Sequence, residues 1–177
     1  MLLYHLAPLE LSGTTLYPLN QLKDTNPTVY AHAVSKYAGR EEVMQQIIPL
    51  LNCLWNDVIF LSPVHPEKVV QARFENGLGY PTYRRNWFVL DSESLDQSQL
   101  LLYRHRPKWT MDREQHKAEY VWFEDISPSE QEELAKIPEC GLWSIRKFRE
   151  KGLFLGYIPH ILYRGTIDVD YTNIVTC

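Results

Sequence analysis

The chain has 177 residues, 45% of them apolar and 23% charged, with a formal net charge of −4. That length and balance give one globular domain over 1–177 with a substantial core. They argue against the broad electropositive footprint of a duplex nucleic-acid binder, and no apolar run reaches the ~18 residues of a membrane span.

Residues 2–6, LLYHL, read as a first strand. A loop with turn residues runs from Pro8 to Pro27. Asn26 as N-cap and Pro27 at the first helical position then open a helix. Val29, Tyr30, Ala33, Val34 and Tyr37 repeat at its spacing. Gly39 interrupts, and Val43, Met44, Ile47, Ile48 and Leu51 predict a second helix. Val58 to Leu61 is a continuous apolar run, hence a central strand. Pro66 starts a helix that Gly77 closes. NWFVLD, LLLYRH at 100–105 and EYVWF at 119–123 are further strands, with loop predicted over 106–116. SPSE at 127–130 has a capping-box pattern and opens a short helix ending near Ile137-Pro138. A helical piece follows around 143–150, and HILYRGTIDV at 160–169 is the last expected strand. Helices come early and strands later without regular crossovers. The plan is therefore α+β, a mostly antiparallel split sheet and not a doubly wound one.

The start, MLLYHLAPLELSG, has neither the basic nor the long apolar region of a secretion signal. Cys53, Cys140 and Cys177 form no CxxC. A disulfide framework and a thiolate zinc site are not expected, and a cytoplasmic location fits. No P-loop, dinucleotide fingerprint, HExxH or GxSxG occurs.

Four places carry candidate chemistry. Tyr4-His5 on the first strand reads first as a core or edge pair; functionally, the imidazole suits a ribose hydroxyl and the phenol ring a base. Ser62-Pro63-Val64-His65 reads first as a strand exit and helix cap. Its functional alternative is an anion held by the helix start beside Ser62 and His65. Glu119 enters an apolar strand, either as its exposed first residue or as a carboxylate facing a cleft. Arg84-Arg85 and Arg104-His105-Arg106 are basic clusters, solvated rims or phosphate contacts.

The order of LYHLAPLE, VIFLSPVHPEKVVQARFENG, NWFVLDSESL with LLLYRH, and KAEYVWFEDISPSE resembles the ADP-ribosyltransferase-like fold. Within it the chain looks most like the DNA-thymidine ADP-ribosyltransferase toxin group. The resemblance covers about two-thirds of the chain and implies a cleft between two sheets that binds NAD as substrate. It implies that His5, with Tyr4, contacts the nicotinamide ribose and that Ser62 lines the nicotinamide pocket. Ser62 and His65 at a helix start would suit the pyrophosphate, and Glu119 would be the catalytic carboxylate. The family's arginine falls to Arg40, or to Arg73 if its helix faces the cleft. The acceptor would be protein or single-stranded nucleic acid. The competing expectation is a non-catalytic nucleotide-binding or protein-interaction module on a similar scaffold. A third is a hydrolase using His65 with an acidic partner.

Overall fold

The computed structural model describes residues 1–8, 13–78, 84–104, 119–147 and 154–177. Its elements in chain order are β1 (Leu2–Leu6), β2 (Thr15–Leu16), α1 (Leu19–Thr25), α2 (Pro27–Val34), β3 (Ile47–Ile48) and β4 (Cys53–Leu54). They continue with β5 (Ile59–Leu61), α3 (Pro66–Glu75), β6 (Asn86–Asp91), β7 (Leu100–Arg104) and β8 (Glu119–Trp122). The chain finishes with α4 (Pro128–Leu134), α5 (Glu139–Lys147), β9 (His160–Tyr163), β10 (Ile167–Asp168) and β11 (Ile174–Thr176). All strand pairs are antiparallel, and the class is α+β. No described helix is long and apolar enough to cross a membrane.

Two sheets carry the architecture. The first has the order β1-β6-β11, the second β5-β9-β7-β8. A single bridge, Tyr4 with Ser62, joins β1 to β5. Period-two alternation decides what each strand buries. Leu3, Phe88 and Leu90 meet Ile59, Leu61, Leu100, Leu102, Ile161 and Tyr163 in one core between the sheets. Full burial of such side chains stabilises by roughly 1.5–3 kcal/mol each. The opposite face of the second sheet turns Leu101 and Leu162 onto Ile48, Leu51, Cys53 and Val58, with Trp55, Phe60, Tyr103, Tyr120 and Trp122 around them.

Several local signals act as expected. The Asn26 side chain accepts from Val29 N–H at 3.2 Å, and Ser127 Oγ accepts from Glu130 N–H at 3.3 Å. Gly77 ends α3 at φ +78° in a full Schellman pattern, with Leu78 N–H on Arg73 O and Gly77 N–H on Phe74 O, both 3.0 Å.

The helix expected over 43–51 does not form. A 3-10 turn spans Glu41–Gln45, and β3 and β4 make a hairpin instead. Ile47 is 63% exposed while Ile48 is fully buried, a two-residue alternation that the helical spacing had masked. Pro49 lacks the N–H a helix needs there, and Asn52 turns the chain at φ +46°. The loop expected from Pro8 to Pro27 contains α1, whose N-cap is Pro18 with no side-chain cap bond. The single strand expected over 160–169 is two strands in different sheets, and β11 was not anticipated. The loop expected at 106–116, together with His105 and Arg106, lies outside the described residues.

Candidate functional site

Successive side chains of a strand point to opposite faces. Tyr4 and His5 therefore face apart, and the residues singled out above fall into separate neighbourhoods.

On the Tyr4 side, the phenol ring meets the His65 ring edge-on at 4.9 Å. A hollow of about 300 Å³ lies beside them, bordered also by Leu2, Pro63, Lys68 and Pro128. Its polar groups are largely committed. Ser62 Oγ donates to Val64 O at 2.9 Å and accepts from Val64 N–H at 3.1 Å, closing the turn on itself. His65 Nδ1 accepts from Glu67 N–H at 3.2 Å and so caps α3. Lys68 Nζ donates to Ala135 O at 3.0 Å. Arg73 sits in the last turn of α3, its guanidinium 6.0 Å from the Phe154 ring, and does not border this hollow.

On the His5 side the two sheets part. The Tyr4–Ser62 bridge is closed by two 2.8 Å bonds. Continuing that ladder would pair Leu6 with Phe60. Instead His5 Nδ1 lies 3.0 Å from Phe60 O. A carbonyl only accepts, so Nδ1 carries the hydrogen, and in the neutral ring Nε2 is left as an acceptor. Nε2 has no hydrogen-bond partner among the described residues. Burial pushes the His5 pKa below the ordinary imidazole value and the charge of Lys36 adds to this, although the Phe60 carbonyl pulls the other way. The ring is therefore neutral at pH 7 and presents a lone pair.

Lys36 leads to the rest of the site. Its amine lies 5.0 Å from the centroid of the Tyr37 ring, and the Arg40 guanidinium lies 5.8 Å from the same centroid. Arg40 Nη2 also donates to Lys36 O at 3.2 Å. Crowding of protein around the amine, and then Arg40, lower the Lys36 pKa. Among the described residues no carboxylate stands within ion-pair distance of either cation. Tyr37 is buried, and its hydroxyl donates to Asn56 Oδ1 at 2.9 Å. Burial raises the Tyr37 pKa, while a hydrogen bond from Trp55 and the charge of Arg40 oppose the rise. Asn56 is 2% exposed, and its Nδ2 finds no partner among the described residues. Trp55 packs on Phe60 at 4.8 Å and on Tyr103 at 5.2 Å. Burial, with Tyr120 beside it, pushes Tyr103 up to about 12.

Glu119 belongs to neither neighbourhood. It opens β8, the far edge of the second sheet, with β5, β9 and β7 between it and β1. Four strand spacings put it roughly 19 Å from β1 across the sheet. Its carboxylate is 3.4 Å from Arg104, which also pairs with Glu130 of α4. The structure thus groups Arg40 with Lys36 on the Tyr37 ring, with the Lys36 charge felt at His5, and gathers Tyr4, Ser62 and His65 into another neighbourhood. It leaves Arg73 and Glu119 apart from both.

Sequence reasoning missed Lys36, Tyr37, Trp55 and Asn56. The available signal was the K-Y-x-x-R spacing at 36–40, two cations flanking an aromatic residue within five positions. Among the described residues no cluster of three or more His, Cys, Asp or Glu is arranged for a metal. Comparison with protein-family models, with curated proteins and with solved structures returned no match to this chain.

Proposed function

We propose that the protein is a nucleotide-binding module whose ligand enters the split between β1 and β5, with NAD the ligand implied by the family resemblance. The observation that carries this reading is His5. Its Nδ1–H is tied to Phe60 O, its ring is held neutral, and Nε2 offers one acceptor. A neutral acceptor of this kind takes a hydrogen bond from a ribose hydroxyl. Lys36, whose charge is felt at His5, and Arg40 over the same Tyr37 ring supply positive charge to this neighbourhood.

Binding is favoured over ADP-ribosyl transfer through Glu119. A carboxylate that stabilises an oxocarbenium-like transition state must face the breaking bond. Glu119 instead neutralises its cross-strand partner Arg104 at the edge of the second sheet away from β1.

Thermal melts with NAD, ADP-ribose and nicotinamide test the proposal. A nucleotide at 100 times its Kd adds about 2.7 kcal/mol, a rise of roughly 5–10 °C in a chain this size. His5→Ala, checked for native circular dichroism, loses that rise. Concentrated protein incubated with NAD releases no nicotinamide, and Glu119→Gln binds as the wild type does. No shift with any nucleotide at millimolar concentration defeats the reading. Nicotinamide release abolished by Glu119→Gln would establish transfer in place of binding.

A further inference from the structure

We infer that Lys36 and Arg40 form a clip for two adjacent phosphates, so that the site prefers diphosphate-bearing nucleotides over monophosphates. This inference rests on the nucleotide reading of the His5 split and adds the ligand class.

Three observations carry it. Both cations lie at one buried ring, 5.0 and 5.8 Å from the Tyr37 centroid, and Arg40 Nη2 donates to Lys36 O at 3.2 Å, which keeps them in one neighbourhood. Like charges held close repel, and here the repulsion is felt, since Arg40 helps lower the Lys36 pKa. The chain has 22 acidic residues against 18 basic ones, yet no described carboxylate stands within ion-pair distance of this pair. A surface that leaves two neighbouring cations uncompensated in a net-negative protein is complementary to an anion of two charges or more. The ring beneath them is itself fixed, because the Tyr37 hydroxyl is held by the buried Asn56.

The alternative place for the diphosphate, the start of α3, is poorly suited. His65 already accepts the Glu67 N–H, the Glu67 carboxylate stands in the first turn, and Lys68 is spent on Ala135 O. It also lies on the other side of β1 from His5.

Calorimetric titration of the full chain with AMP, ADP-ribose, inorganic phosphate and pyrophosphate tests the clip. The expected result is ADP-ribose at least about tenfold tighter than AMP, and pyrophosphate tighter than phosphate. Lys36→Ala and Arg40→Ala each reduce the ADP-ribose preference to within about threefold. Lys36→Arg, which keeps the charge, retains most of it. His5→Ala weakens ADP-ribose and AMP alike and leaves their ratio unchanged. Equal affinity for ADP-ribose and AMP in the wild type, or a preference that survives both alanine variants, overturns the clip while the nucleotide reading stands. Absence of binding by AMP and ADP-ribose alike overturns both.

Discussion

Tyr37→Phe removes one oxygen from the centre of the candidate site, and the structure fixes what that costs. The hydroxyl donates to Asn56 Oδ1 at 2.9 Å. Asn56 is almost fully buried and its Nδ2 already lacks a partner among the described residues, so the variant leaves the whole amide unsatisfied. Removing one partner of a buried hydrogen bond leaves the other unsatisfied, which costs about 1–3 kcal/mol. The expected loss is about 1.5–3 kcal/mol, which lowers the melting temperature by roughly 4–10 °C. Exchanging both partners for apolar groups of similar shape is far less costly. Tyr37→Phe combined with Asn56→Leu therefore recovers at least about 1 kcal/mol relative to the sum of the single variants. Urea denaturation of the wild type, both single variants and the double variant gives the coupling directly. A Tyr37→Phe protein within about 0.5 kcal/mol of wild type, or strictly additive variants, would refute the inferred dependence of Asn56 on this hydroxyl.

Two further outcomes can be checked. His5 is held below the ordinary imidazole pKa of about 6.5, so on acidification the unfolded chain takes up this proton before the folded one does. The contribution of the neutral ring is complete at neutral pH and is lost as pH falls below about 6.5 toward the folded value. His5→Gln consequently flattens the stability curve between pH 7.5 and 5, and equal slopes in the two proteins would contradict the assignment. Gly77 takes φ +78° with open space where a Cβ would lie, so Gly77→Ala costs about 1 kcal/mol through backbone conformation alone. A neutral result by chemical denaturation would mean the Schellman end adapts without strain.

The legible parts of the fold were those set by local rules. Asn26, Ser127, Pro66 and Gly77 mark helix ends through groups within a few residues, and β6 falls on NWFVLD because a short apolar run of strand formers is bounded by polar Asn86 and Asp91. The failures share a cause as well. Val43 to Leu51 satisfies a helical spacing by coincidence, and only the partner strand β4 and the sheet beneath turn Ile48 inward and Ile47 outward. At the site, His5 was visible as a polar residue in an apolar strand. Its companions Lys36, Tyr37 and Asn56 were not, because the Tyr37–Asn56 bond joins residues 19 positions apart, which no local pattern encodes. Glu119 looked unusual for entering a strand, but the reason, a guanidinium shared with Glu130, lies on other elements.

The strand order of the second sheet has a consequence for biogenesis. β5 and β7 flank β9, which the ribosome delivers long after either of them. Until it arrives, both carry unsatisfied backbone edges that face one another across a missing strand, rich in Ile, Leu and Phe. Such edges recruit other chains during synthesis. Nascent polypeptides arrested before His160 are therefore the species most prone to aggregate, and insertion of β9 between its waiting neighbours is the event that makes the product safe.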